Sequence, residues 1–288
     1  MTAITESDTA IAVAVRGLGK RYGTKWALEA LDVDLPAGSV TAVVGHNGAG
    51  KTTLLRLLAG LIAPTCGSVA VGSQPSISYV AQDKPLYPTW RVRDIVEFGR
   101  RMHLSWDGDL VQAWLAELDV PTDRPCNKLS GGQRAQVALG VALGSRPDLL
   151  LLDEPMASLD PLARAELVRA LLGVVADTGV TVLLSTHQTA DLQALADRIL
   201  LIAGGRRVLD GDVDALMEAH VVIEGPGDAL PVTADAVVVQ QRDARRVRAT
   251  VRVDAVPEAL HPAWSVSPVT FEGLLLDHLV ASRQRDNA

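Results

Sequence analysis

Aromatic side chains are scarce in this 288-residue chain, with Trp, Tyr and Phe together making up 3%. That shortage speaks against the stacking platforms that hold single-stranded nucleic acid. Basic charge is short as well. The 27 Lys and Arg are outnumbered by 34 Asp and Glu, leaving a formal net charge of −7 and no global pull toward DNA or anionic lipid. No nucleic-acid partner is therefore expected. The only cysteines, Cys66 and Cys126, cannot staple a chain of this size and lack the histidine pair that a metal site needs. A reduced intracellular compartment suits them. Long apolar runs are missing too. A spanning helix needs about 20 consecutive apolar residues, whereas runs such as Leu149 to Leu152 end in charge after a few. Met1 to Thr9 contains Glu6 and Asp8 and has no basic start, unlike a signal peptide. A soluble intracellular protein is expected, free to dock on a membrane partner.

What is present is enough apolar residue for a large core: hydrophobic residues are 48% and charged residues 21% of the chain. Residues 1–10 read as a flexible tail. Ile11, Val13 and Val15 alternate as a half-buried strand, and Leu31-Asp32-Val33-Asp34-Leu35 alternates as an antiparallel strand with one face in water. Val40 to Val44 is a buried strand running into a glycine loop. Leu149 to Leu152, Val180 to Leu184 and Ile199 to Ile202 have the unbroken apolar look of parallel strands covered on both faces. A helical pattern over Leu162 to Leu172 lies between the first two, which predicts an α/β doubly wound core. Residues from about 84 to 144 read as a helical insert, with helices over Val92 to Met102 and Leu110 to Leu118 and a third starting near Gly132. From about Val221 the character changes to two strands, at Val237 to Val239 and Arg248 to Val253, and a final helix capped by Thr270.

Gly45-His46-Asn47-Gly48-Ala49-Gly50-Lys51-Thr52-Thr53 fits the phosphate-loop pattern G-x-x-x-x-G-K-[ST]. Its glycines allow backbone angles that aim successive N–H groups at phosphate oxygens, and the helix that follows adds the positive end of its dipole. Lys51 is placed to reach the β- and γ-phosphates and Thr52 to ligate Mg²⁺. The strand Leu149 to Leu152 ends in Asp153-Glu154. Asp153 sits where an open α/β sheet presents its ligands, as a candidate Mg²⁺ ligand; Glu154 is the candidate to polarise an attacking water.

A third motif, Leu129-Ser130-Gly131-Gly132-Gln133, resembles the signature of ATP-binding-cassette (ABC) ATPases, and the rest of that family's set follows in order. Gln82 resembles the Q-loop glutamine, a catalytic and metal-facing position. Ser158-Leu159-Asp160 resembles the D-loop, His187 the switch histidine, and Tyr22 the aromatic that stacks on adenine. The resemblance covers roughly Ile11 to Asp212. It implies a P-loop ABC ATPase core with an antiparallel β subdomain and a helical insert over residues 11–220, followed by a small α+β C-terminal extension over 221–288. It also implies an ATPase using ATP and Mg²⁺, with catalytic Glu154, His187 and Gln82. Two copies, or two similar chains, would pair head to tail so that Ser130 to Gln133 and Asp160 of one face the ATP held by Gly45 to Thr53 of the other.

Only about 100 residues separate Lys51 from Asp153, and they carry no sustained heptads, which sets the chain apart from repair-type relatives with a long coiled coil. A single cassette likewise differs from the translation type. The resemblance therefore implies the ATPase subunit of a transporter, cytoplasmic and peripheral on the inner face of the cell membrane through an integral membrane permease subunit. A soluble ABC ATPase without such a partner is the alternative. Tyr87 and Trp90, in a proline-stiffened stretch, are placed to form the permease socket. The stretches Tyr79 to Trp106 and Pro155 to Arg164 look like bacterial exporter-type ATPases of the drug and antibiotic-peptide class, so export is the expected direction.

Overall fold

The structure, a computed structural model, describes residues 10–72, 75–157, 159–189, 192–227, 230–243, 246–258 and 260–286. All of the expected tail but residue 10 thus lies outside the described residues, as do Ser158 of the D-loop-like motif and Ala244 and Arg245 of the turn between the last two expected strands.

Alternation near the start of the chain builds a hairpin. β1 (Ile11–Tyr22) pairs antiparallel with β2 (Lys25–Pro36), and both bury one face. β3 (Val40–Val44) leads into α1 (Lys51–Leu58), and β4 (Cys66–Val71) returns to the other edge of β1. β5 (Ile77–Val80) opens onto the helical insert: α2 (Val92–Met102), α3 (Gly108–Glu117) and α4 (Gly131–Gly144). Strands and helices then alternate through β6 (Leu149–Asp153), α5 (Pro161–Thr178), β7 (Thr181–Thr186), α6 (Leu192–Leu195), β8 (Arg198–Ala203), β9 (Arg206–Asp212) and α7 (Val213–Glu218). β10 (His220–Pro226), β11 (Val237–Arg242), β12 (Arg246–Arg252), β13 (Ser265–Pro268) and α8 (Phe271–Asp286) follow.

The central sheet has the order β5-β6-β7-β3-β8-β9, parallel except for β9. Its two faces are filled by alternate residues of the same strands. Leu150, Leu152, Val182 and Leu184 point into the core shared with the insert and α5, whereas Leu149, Leu151 and Leu183 point into a second core with α1 and the β1–β2 hairpin. This explains why these strands read as unbroken apolar runs.

The last sheet, β11-β12-β10-β13, is antiparallel throughout. One of its faces holds Ile223, Ala249 and Val251 with Trp264; the other sets Val222, Val269 and Leu274 against Leu209, Leu216 and Met217. The Thr270 hydroxyl accepts the Gly273 N–H at 3.1 Å and starts α8, as its residue type suggests. Phe271 and Leu275 of α8 then enter the main core. The C-terminal residues are thus packed on the chain that precedes them. Both cysteines are free, Cys66 exposed and Cys126 buried. No helix among the described residues is long and apolar enough to cross a membrane.

Candidate nucleotide site

The glycine loop joins β3 to α1 at the carboxyl end of the central sheet, beside the place where β3 separates β7 from β8. Gly50 holds φ +113°, and a Cβ there would lie 2.5 Å from the Ala27 carbonyl oxygen, so only glycine fits. Lys51 starts α1 with its side chain folded back. Its Nζ donates to the carbonyls of Gly45 at 2.7 Å and His46 at 3.3 Å, and lies 3.4 Å from Glu154 Oε1. The loop opens on a cleft of about 560 Å³ reached by Asn47 to Thr53, Tyr22, Gln82, Glu154 and His187. Tyr22 and Gln82 are both exposed at its rim.

Asp153 ends β6, buried, and receives three hydroxyl donors. Thr52 Oγ1 at 3.0 Å and Ser185 Oγ at 2.7 Å reach Oδ1, and the Tyr79 hydroxyl reaches Oδ2 at 3.2 Å. Burial pushes the Tyr79 phenol up, against a hydrogen bond from Arg56 that pulls it down, so the phenol stays protonated as a donor at neutral pH. Glu154 follows with φ +49°, a left-handed backbone unusual for a residue with a side chain. That turn aims its carboxylate back into the cleft. Its Oε1 pairs with Lys51, and its Oε2 lies 2.9 Å from His187 Nδ1. A buried carboxylate is thereby held between an ammonium and an imidazole.

The signature residues line a different, smaller cleft of about 280 Å³, together with Leu159 and Asp160. Ser130 caps α4: its Oγ accepts the Gln133 N–H at 3.0 Å, and Gln133 Oε1 accepts the Ser130 N–H at 3.2 Å. Asp160 caps α5 through the Ala163 N–H at 3.0 Å. One chain therefore brings Tyr22, the phosphate loop, Gln82, Glu154 and His187 together, with Asp153 beneath them, and leaves Ser130, Gly131, Gly132, Gln133 and Asp160 elsewhere. On the insert, Tyr87 stacks on Trp90 at 4.5 Å between ring centroids, and Phe98 meets both edge-on at 6.0 and 5.6 Å.

The model of the ABC transporter family matches residues 28–157. The aliphatic sulfonates import ATP-binding protein SsuB of Corynebacterium glutamicum is 42% identical over 199 residues, which cover 67% of this chain and 81% of that protein. The SsuB protein of Yersinia pestis is 40% identical over 220 residues, 74% and 81% of the two chains. The chain belongs to the ABC transporter ATP-binding family. Solved ABC structures share the fold. The cbiO1 subunit of Clostridium perfringens, part of the cbiONQ complex, superimposes with a TM-score of 0.62 at 28% identity over 70% of this chain and 88% of its own. The dimeric cassette MJ0796 superimposes at 0.63 and 22% identity, over 69% and 98%.

This ABC ATPase hydrolyses ATP as the ATP-binding subunit of a transporter. Its relatives are named as importers, so the exporter-type resemblance and the expected direction of export find no support among them. The residues behind that expectation, Tyr79 to Trp106 and Pro155 to Arg164, span the end of β5 with the first part of the insert, and the segment that leads from β6 into α5. Neither stretch holds a residue whose position bears on which way cargo moves. Pattern reading also missed contributors to the site. Lys25 and Trp26 line the cleft, Trp26 across the hairpin turn from Tyr22, and a second aromatic that close was a usable signal. Tyr79 and Ser185 reach Asp153 through strand register, which no local motif reveals. Phe98 joined the aromatic cluster from the outer face of α2.

Proposed function

We propose that this chain powers an ABC importer, acting as an ATP-bridged homodimer or heterodimer on a separate integral membrane permease at the inner face of the membrane. Residues 11–220 form the ATPase unit, with the insert over about 84–144, and 221–288 are an extension packed on it. The observation that carries the hydrolytic part is the buried pair Lys51–Glu154, with the exposed His187 against Glu154, in the phosphate-loop cleft. The names of the relatives support import, with an organic sulfonate as the cargo class. Cargo itself would touch the permease.

ATP phosphates would lie on the N–H groups of Gly45, His46, Asn47, Gly48, Ala49, Gly50, Lys51, Thr52 and Thr53, with adenine against Tyr22 and Trp26. Lys51 would exchange the Gly45 carbonyl and Glu154 for the β- and γ-phosphates. Glu154, freed on one side, would take the proton of the attacking water, with His187 orienting the γ-phosphate and Gln82 closing the rim. Thr52, Asp153 and Gln82 offer hard oxygens beside the phosphate site. No group of three His, Cys, Asp or Glu among the described residues is arranged to hold a metal alone, which suits an ion shared with phosphates. Bound there, Mg²⁺ would neutralise charge on the β- and γ-oxygens. Ser130 to Gln133 and Asp160 would complete the partner's site, in keeping with their separate cleft. The cluster Tyr87, Trp90 and Phe98 would seat the permease.

The test is Glu154→Gln. Steady-state ATPase should fall by about 100-fold or more, since removing a general base costs that order. ATP-Mg²⁺ should convert the variant to a dimer in size-exclusion chromatography. The tagged variant should also draw a multi-span membrane protein from detergent-solubilised membranes. Wild-type hydrolysis by the variant would sink the role of Glu154; recovery with no membrane partner would favour the soluble reading.

A further inference from the structure

We propose that Ser185 is a positioning residue for hydrolysis, clamping Asp153 and Glu154 in their working orientations through one hydroxyl. The inference rests on the reading of Glu154 as the group that activates water. Ser185 is the penultimate residue of β7, fully buried, and stands directly opposite Asp153 in the parallel register. Its Oγ donates to Asp153 Oδ1 at 2.7 Å and accepts the Glu154 N–H at 2.9 Å. A single atom is therefore bonded to both acids.

The geometry shows why a hydroxyl is needed. β6 stops at Asp153, and Glu154 turns out of the ladder into the left-handed region, so its N–H no longer finds a backbone carbonyl on β7. A buried N–H left without an acceptor is costly, and a left-handed backbone is disfavoured for a residue with a Cβ. The Ser185 Oγ supplies that acceptor at the bend. Its own proton goes to the same carboxylate oxygen that Thr52 reaches, while Tyr79 holds the other. Alanine would leave the Glu154 N–H and one Asp153 lone pair unmet. The peptide would then be free to return toward extended angles, carrying the carboxylate away from Lys51 and His187. Threonine keeps the hydroxyl.

The experiment compares wild type, Ser185→Ala, Ser185→Thr and Glu154→Gln. Each is followed by thermal melting, ATPase kinetics, and Mn²⁺ titration in the presence of a non-hydrolysable ATP analogue, with free Mn²⁺ read by electron paramagnetic resonance. We expect Ser185→Ala to remain folded and to lose at least fivefold in kcat with KM for ATP within threefold. Its half-saturating Mn²⁺ should rise at least threefold, because Asp153 has lost a donor that orients it. A folded Ser185→Thr should return kcat to within threefold of wild type. A folded Ser185→Ala with less than fivefold loss of kcat overturns the proposal, as does a folded Ser185→Thr that stays as slow as alanine. Hydrolysis by Glu154→Gln at the wild-type rate is a different failure, of the role given to Glu154.

Discussion

Lys84 is a buried ammonium two residues beyond Gln82, and its Nζ donates to the Gln82 carbonyl at 3.3 Å. Burial, followed by the nearby Arg134, pulls its pKa below the usual lysine value of 10.5, against weaker support from Glu154 and Asp83. The folded-state pKa is thus lower than the unfolded one. Between the two values the unfolded chain binds more protons, so folding gains stability as pH rises through that window. Below it, the charged lysine imposes its full cost. Lys84→Met keeps the aliphatic stem and drops the charge; thermal melts should show it more stable than wild type at pH 7, by a margin that shrinks toward pH 10. A margin constant with pH would sink this account. At this scale much of the site is legible in the sequence. Lys51, Thr52, Asp153, Glu154 and His187 sit at fixed distances from a motif or a strand end. Tyr79 and Ser185 are not legible, because they approach from neighbouring strands and owe their positions to pairing.

At the scale of the element, caps rather than propensity mark several boundaries. Asp107 precedes α3, where its Oδ1 accepts the Leu110 N–H at 2.9 Å and its other oxygen meets Arg146 at 3.3 Å. Asp107→Ala should lower stability by about 1 kcal/mol in urea titration, chiefly through the lost cap. ATPase activity per folded molecule should hold. An unchanged midpoint would mean that solvent replaces the cap at no cost. The helix expected over Val92 to Met102 occupies those residues, and the third helix of the insert begins at Gly131, one residue before the expected start. The helix expected over Leu162 to Leu172 extends over Pro161–Thr178, from the Asp160 cap to the left-handed Gly179. β4 and β9, by contrast, give no sequence signal. Both are edge strands with few fully buried residues, and a face that is not buried leaves no alternation to read.

The whole molecule is tied together by α8. Phe271 and Leu275 belong to the same core as the insert and the central sheet, although the chain between β9 and α8 has built a sheet of its own. Phe271→Ala should cost roughly 3 kcal/mol, as truncation of a buried aromatic does. Calorimetry should show one transition moved down as a unit. A separate early transition for the C-terminal residues would mean that they fold as an independent body. The expected direction of export was read from short stretches of chain, and the names of the relatives give it no support. The residues proposed for hydrolysis would perform the same steps for either direction, so resemblance around them carries no information about cargo.

The alternating cores of the central sheet also bear on what heredity can tolerate. Leu149, Leu150, Leu151 and Leu152 serve opposite cores in turn, so exchanging one for isoleucine or valine alters packing but leaves every assignment in place. Removing one of them shifts the remainder by about 3.3 Å and turns each side chain to the other face. Asp153 and Glu154 would move with them, away from Thr52 and Ser185. In a library of variants, this strand should accept new letters freely and refuse any change in the number of letters.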